Sequence, residues 1–166
     1  NDDTLIYSLY IRGKDERNWK LLKDKITDKF YSWDSTAFPD GLYSVKVVAS
    51  DSPSNAQQDA LADERESAPF EVDNTPPQIS GLKASVEGGK LRISFRAVDA
   101  LSPIKKAECS VDGSEWRLVL PLDQLSDALQ EEYSFLVPQS APGEHTIAVR
   151  VQDRIDNLAV EKTIVR

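Results

Sequence analysis

The sequence predicts an all-β protein built from two tandem antiparallel β-sandwich domains. Three observations lead to this prediction: an internal repeat, a proline-rich hinge between the copies, and many short segments in which apolar and polar residues alternate. A chain of 166 residues fits either one large domain or two smaller ones, because domains typically contain roughly 50–250 residues. The repeat favours two.

The second half of the chain repeats the first. The stretch from Tyr31 to Asn55 recurs from Tyr133 to Asn157, 102 residues later, with aromatic, apolar, Asp and Asn positions in the same order. The offset is 100 residues further upstream, and an offset that drifts while the order is preserved is typical of two copies of one fold with loops of unequal length. Two further matches lie upstream, each followed by a tryptophan: Ile11-Arg-Gly13 before Trp19, and Val111-Asp-Gly113 before Trp116.

The boundary between the copies falls at Asp73-Asn-Thr-Pro-Pro77. Two consecutive prolines stiffen the chain and lack the N–H groups that a central strand needs. The first domain therefore covers residues 1–74 and the second covers 75–166. Residues 68–72 are predicted as the last strand of the first domain, and residues 78–81 as the first strand of the second.

Period-2 alternation predicts the strands of the second domain. The segments are 91–97, 107–111, 145–151 and 159–165, and Asp112-Gly113 is predicted as a hairpin turn. The exception is the stretch 123–131, because Leu122, Leu125 and Leu129 have helical spacing. That spacing predicts a helical turn or two crossing between the sheets.

The first domain is predicted to be incomplete. Residues 5–11 and 43–49 are predicted strands, but nothing corresponds to the opening strands 79–98 of the second copy. We expect these strands to have been lost by truncation at the N-terminus or to be supplied by a neighbour. The uncovered edge then allows a dimer through edge strands. A long acidic loop, 51–67, replaces a tight turn of the second copy.

Composition excludes several classes of function. Asp and Glu number 28 against 20 Lys and Arg, and this net charge of -8 argues against nucleic acid and anionic membranes as partners. No apolar run approaches the roughly 18 residues of a transmembrane helix, so membrane insertion is not expected. A single Cys rules out an internal disulfide and a thiolate metal cluster. The start at Asn1 without Met suggests a piece of a longer protein.

Several motifs together resemble bacterial immunoglobulin-like and fibronectin type III-like β-sandwich repeats. They are the tyrosine-corner stretch Asp40-Gly-Leu-Tyr43-Ser-Val45, the Asp-Asn-Thr-Pro-Pro linker, the Val-Asp-Gly hairpin before Trp116, and the Asp-x-x-Ser-Asn ending. The second copy carries His145 at the corner position. Such repeats occur in large secreted or surface proteins, often after β-propellers, and are generally non-catalytic spacers or binding modules. The resemblance implies an extracellular, periplasmic or cell-surface location, with neighbouring domains of a parent protein as partners.

The candidate catalytic and aromatic residues have structural interpretations. His145 is the only imidazole and begins a core strand, and Cys109 lies on the inward face of a strand, so no catalytic residue is predicted. The predicted core residues are Trp33, Tyr43, Val45 and Val47 in the first copy, and Trp116, Phe135, Ile147 and Val149 in the second.

Three hypotheses for function remain open at this stage. The first is a non-catalytic spacer or interaction module. The second is a carbohydrate- or protein-binding module that uses exposed aromatics such as Trp19 or Trp33, because exposed indoles stack on sugar rings. The third is an accessory domain of a larger enzyme whose activity lies elsewhere in the polypeptide.

The acidic segment before the hinge is a candidate calcium site, since calcium prefers six to eight oxygen ligands. The candidate ligands are Asp51, Asn55, Asp59, Asp63, Glu64 and Asp73. Two observations favour a plainer interpretation. No Asp-x-Asp-x-Asp-Gly loop is present, and Asp51 and Asn55 recur as Asp153 and Asn157, which favours Asx hydrogen bonds that shape a turn. No other cofactor is predicted.

Overall fold

The computed structural model describes residues 4–56, 58–138 and 141–166. The chain divides into two compact units, unit 1 (Asn1–Asn74) and unit 2 (Thr75–Arg166). The described residues are all-β, as the sequence predicts, and they form three antiparallel sheets without an α-helix. None of the described segments forms a helix with the length and apolar character needed to cross a membrane.

Unit 1 consists of one sheet, sheet A, with strand order β2-β1-β3-β4 and with β5 also paired to β3. A 3-10 turn at Ser35–Ala37 precedes β3, and Asp34 caps it by accepting a hydrogen bond from the Thr36 N–H. The strands are β1 (Ile6–Gly13), β2 (Lys20–Ile26), β3 (Gly41–Ser50), β4 (Ala62–Glu66) and β5 (Phe70–Val72).

Unit 2 contains two sheets. Sheet B has the order β10-β7-β6, and sheet C has the order β12-β11-β8-β9. Gly88 and Gly89, both with positive φ (56° and 75°), join β6 to β7 in the two-residue turn that twisted hairpins favour. The strands are β6 (Gln78–Glu87), β7 (Lys90–Val98), β8 (Ile104–Val111), β9 (Arg117–Val119), β10 (Gln130–Pro138), β11 (His145–Asp153) and β12 (Leu158–Val165).

The two sheets of unit 2 enclose one apolar core, an arrangement compatible with a β-sandwich. The residues that alternate inward along β7 and β11 are the most deeply buried, and the predicted core residues Ile147 and Val149 are completely inaccessible to solvent. Phe135 packs against this core from β10. The core is contributed by both sheets: Leu91, Ile93, Phe95, Ala97 and Tyr133 from sheet B, and Ile104, Ala107, Cys109, Val119, Ile147, Val149, Val151 and Val165 from sheet C.

Sheet A repeats the register of sheet C. Leu9 pairs with Val47 across β1 and β3, and the equivalent Cys109 pairs with Val149 across β8 and β11. The neighbouring pairs agree as well, Ile11 with Val45 and Val111 with Ile147. Since one residue of slippage would turn every side chain to the other face, this agreement means that the same apolar face is built twice.

Unit 1 has no counterpart of sheet B among its described residues. The segment matching β10 contains no strand near Tyr31–Trp33, and β1 is the first strand that the structure describes in this unit. As a result the predicted core residue Val47 is 37% exposed, whereas its equivalent Val149 is fully buried.

Two local predictions were wrong. Residues 123–131 form no helix; instead Asp123 accepts the Leu125 N–H, and Leu122 and Leu125 are exposed. The predicted acidic loop 51–67 contains the strand β4, which pairs with β3 from Lys46 to Ser50. In both places hydrogen bonds to the backbone, which leave no apolar pattern in the sequence, accompany the observed structure.

Candidate functional site

One side of sheet A in unit 1 is apolar and is here called the open face: Tyr7, Leu9, Ile11, Val45, Val47 and Ala49. These residues occupy alternate positions in β1 and β3 and are paired across the two strands, so they share one side of the sheet. Only Leu9 and Ile11 are buried. A sheet face with this composition normally packs against another layer.

An aromatic pocket lies on the open face, with a volume of about 300 Å³. Phe30, which is 79% exposed, and Tyr31 line it beside Trp33. The Trp33 ring packs edge-on against Phe70, with a centroid distance of 6.2 Å. The indole N–H of Trp33 is buried and has no acceptor among the described residues, which is uncommon because buried donors are nearly always paired.

Trp19 and Trp116 share one role, but that role lies outside the core. The Arg12 guanidinium lies 4.3 Å from the Trp19 ring centroid, and the Arg150 guanidinium lies 4.5 Å from the Trp116 ring centroid. Arg150 alternates with the buried Val149 and Val151, so Trp116 lies against the outer side of sheet C and not in the predicted core. Both indoles are half-buried under cations.

The corner position carries the same hydrogen bond in both units. The Tyr43 hydroxyl donates to the Pro39 carbonyl at 2.7 Å, which is the bond expected of a tyrosine corner. At the equivalent position His145 Nε2 lies 2.7 Å from the Ala141 carbonyl oxygen, again four residues upstream. The imidazole thus takes the place of the phenol.

His145 also contacts a carboxylate through its other nitrogen. Nδ1 lies 2.6 Å from Asp112 Oδ2, and the Thr146 N–H donates to Asp112 Oδ1 at 2.9 Å. The hydrogen bond to Asp112, assisted by the Ala141 carbonyl, raises the pKa of His145. The hydrogen bond from His145 lowers the pKa of Asp112. Because both ring nitrogens face acceptors, both bonds form only when the ring is doubly protonated, which favours a structural imidazolium over a general base.

Cys109 lies in the core, as the sequence predicts. It is 3% exposed, and burial raises the pKa of its thiol to about 11. A thiol with this pKa is almost entirely protonated at neutral pH and is a weak nucleophile.

Two buried carboxylates lie close together in unit 2. Asp99 follows the last residue of β7, Asp153 ends β11, and their carboxylate oxygens approach within 4.8 Å. Asp99 accepts the N–H groups of Leu101 and Ser102. Asp153 accepts the backbone N–H groups of Ile155 and Asn157, and the side-chain amide of Asn157. These bonds fix the two loops, as the Asx interpretation of Asp153 and Asn157 predicts.

Asp99 was not among the candidate residues predicted from the sequence. The available signal was its position directly after a buried alternating strand, which it shares with Asp153 at the end of another. Their proximity, however, depends on how β7 and β11 face each other, and this information is absent from either segment alone.

The five acidic residues among the predicted calcium ligands are dispersed. Asp51 Oδ1 accepts the Leu61 N–H at 2.7 Å and closes the loop before β4. Asp63 and Glu64 are consecutive in β4 and therefore point to opposite sides, and Glu64 pairs with Lys46 at 3.1 Å. Asp59 is exposed in a turn, and Asp73 follows β5 and is buried. Within the described part of the chain, no three of these five bring carboxylate oxygens within 4.8 Å of one another.

A second groove lies in unit 2, with a volume of about 960 Å³. It is lined by residues of β9 and β10, which are edge strands of sheets C and B, and includes Asp112 but not His145. Its rim carries the exposed side chains of Leu118, Leu120, Leu122 and Leu136.

Comparisons with known proteins do not assign a family. No protein-family model matches the chain, and no curated protein matches it significantly.

Proposed function

We propose that the chain is a non-catalytic module of a larger exported bacterial protein, built on the immunoglobulin-like or fibronectin type III-like plan. In this proposal it acts as a spacer that holds a neighbouring domain, and the open face of sheet A is the surface that receives that neighbour. The observation that carries the proposal is the contrast between two equivalent positions: Val47 is 37% exposed and Val149 is fully buried.

The cost of exposing this face supports a partner. Burial of apolar surface contributes about 25 cal/mol per Å², so the part of this face that is still exposed, as at Val47, gains stability when another layer covers it. The same six positions are covered by sheet B in unit 2. An apolar sheet face that stays partly exposed, as at Val47, is typical of an interaction site.

The surroundings of the reactive side chains support a non-catalytic role. His145 holds a corner between Asp112 and the Ala141 carbonyl. Cys109 is buried with a raised pKa. The resemblance to bacterial sandwich repeats supports export, and a single buried Cys is compatible with an oxidising compartment.

The geometry supports a sugar-binding platform less well. A platform needs at least two exposed, coplanar aromatic rings. Trp19 and Trp116 are stacked against cations, and Trp33 meets Phe70 at an interplanar angle of 64°. The exposed rings near the pocket, Phe30 and Tyr31, are better explained as part of the docking face.

Thiol labelling tests the proposal in the intact parent protein. Val47→Cys places a thiol on the open face, and Leu42→Cys places one on the opposite face of the same strand, at a matched exposure of 36% against 37%. Cys109 is buried and does not compete for the reagent. We expect the Val47→Cys variant to react at least roughly tenfold more slowly in the parent protein than in the 166-residue chain, with Leu42→Cys unchanged. Equal rates at Val47→Cys in both contexts would exclude docking at this face.

A further inference from the structure

The occupant of the open face can be described from the chain itself. We propose, resting on the function above, that the open face receives an antiparallel β-hairpin of the β6–β7 kind, with one apolar side and a basic outer side. We further propose that this hairpin precedes β1 in the parent polypeptide. The internal repeat, the pocket on the open face and the distribution of charge support this hairpin.

The repeat specifies both the shape and the order of the missing element. In unit 2 the β6–β7 hairpin comes directly before β8, and the side chains of β7 cover β8 and β11. β1 and β3 of unit 1 have the register of β8 and β11, so the same kind of hairpin fits the same face. The chain order places it before β1, because a connection of only five residues joins β7 to β8.

The face also has the chemical features of an incomplete layer. The pocket of about 300 Å³ between Leu9, Val47 and Trp33 is large enough for one or two apolar side chains of an incoming strand. The buried Trp33 indole N–H has no acceptor among the described residues. An incoming strand would supply the apolar side chains that fill this pocket.

Charge favours a hairpin over a second copy of the chain. Residues 1–74 carry 15 acidic and 9 basic residues, a net charge of -6. The segment 78–98 carries four bases against one acid, a net charge of +3. A hairpin with such a charge is attracted to unit 1, whereas a second chain, with a net charge of -8, is repelled.

A grafted chain tests this proposal directly. Residues 78–103 are repeated immediately before Thr4, the equivalent of Ile104 in the shared register, so that a second β6–β7 hairpin and its natural connection precede β1. We expect labelling of Val47→Cys to slow at least roughly tenfold in the graft, while Leu42→Cys keeps its rate. In the matched control the grafted copy carries Ile93→Asp and Phe95→Asp, which remove its apolar side, and we expect no protection.

A peptide of residues 78–98 added to the 166-residue chain provides a second test, which does not depend on the folding of the graft. Saturable protection of Val47→Cys by this peptide, without protection of Leu42→Cys, supports the hairpin. If neither the graft nor the peptide protects Val47→Cys, the hairpin proposal is overturned. Protection that grows with the concentration of the 166-residue chain alone, together with a dimer in light scattering, assigns the face to a second copy instead.

The two proposals fail in different ways. Protection of Val47→Cys in the parent protein but not in the graft or with the peptide retains a docked neighbour and rejects the hairpin. Absence of protection in the parent protein rejects docking itself, whatever the graft does.

Discussion

At the scale of single residues, a tyrosine and a histidine make the same hydrogen bond at the corner position of the two units. Tyr43 and His145 each bond the carbonyl four residues upstream, but only the imidazole titrates near neutral pH. Protonation of His145 therefore links the stability of unit 2 to pH, and unit 1 lacks this link at its own corner.

We expect unit 2 to lose stability as the pH rises above about 6.5, the ordinary pKa of His. The pKa of His145 is raised in the folded chain, so its contribution is fully present below the unfolded pKa and is lost as the pH rises through the folded pKa. Urea unfolding at a series of pH values measures this dependence. Asp112→Asn should flatten it, because Asn carries no charge to favour the imidazolium; an unchanged profile in that variant would contradict the assignment.

The hydrogen bond of the tyrosine corner leads to a separate prediction about the stability of unit 1. Tyr43→Phe removes the hydroxyl that donates to the Pro39 carbonyl and should lower the unfolding free energy of unit 1 by about 0.5–1.5 kcal/mol. Tyr10→Phe is the control, because it keeps the ring that faces the Lys46 ammonium and has no corner bond to lose. Equal effects of the two substitutions in denaturant titrations would show that the corner bond contributes nothing of its own.

At the scale of elements, alternation predicts the strands that have one buried side and does not predict those formed by pairing alone. β7 and β11 alternate along their whole length and were located within one or two residues. β4 consists of Ala-Asp-Glu-Arg-Glu, is exposed throughout, and exists because β3 offers it an unpaired edge. No pattern within the β4 sequence predicts the unpaired edge of β3.

The missing helix has a similar explanation. Leu122, Leu125 and Leu129 have helical spacing, but their segment is anchored by other bonds. The Leu122 N–H bonds the Glu132 carbonyl, and Glu131 accepts the N–H groups of Asp127 and Ala128. A helix of one or two turns is costly to nucleate and cannot compete with these bonds. The pair Asp99 and Asp153 was also beyond sequence reasoning, because it depends on the packing of two distant strands.

The presence of β4 in the acidic segment leads to a prediction about calcium binding. Asp59 is exposed in a turn, and Asp63 lies in β4 beside Arg65, so the two do not converge on one ion. We expect Asp59→Asn combined with Asp63→Asn to leave the difference in melting temperature between excess calcium and excess EDTA unchanged. A calcium site occupied at 100 times its dissociation constant adds about 2.7 kcal/mol, which corresponds to roughly 11–22 °C for a domain of 60–100 residues. If the unsubstituted chain shows a calcium-dependent increase in melting temperature of that size and the double variant lacks it, the acidic segment binds calcium after all.

At the scale of the whole molecule, the two units differ in how much apolar surface they bury. The core cluster of unit 2 contains 13 buried residues from two sheets. Among the described residues of unit 1, only Leu9, Ile11 and Val72 are buried apolar side chains. Since apolar burial is the main favourable term in folding, the two units should differ strongly in stability.

We therefore expect two transitions in urea, with unit 1 unfolding first. Trp116→Phe leaves Trp19 and Trp33 as the only indoles, so the fluorescence of this variant reports unit 1 alone and should show the transition at lower urea. Ile93→Ala opens a cavity at a fully buried position of unit 2 and should lower the free energy of the second transition by about 2–5 kcal/mol, without moving the first. A shift of both transitions by Ile93→Ala would mean that the units unfold as one cooperative body. The open face would then be stabilised by more than its own sheet, and the grafted hairpin would add little to unit 1. If instead only the second transition moves, a hairpin that covers the open face should raise the first transition toward the second.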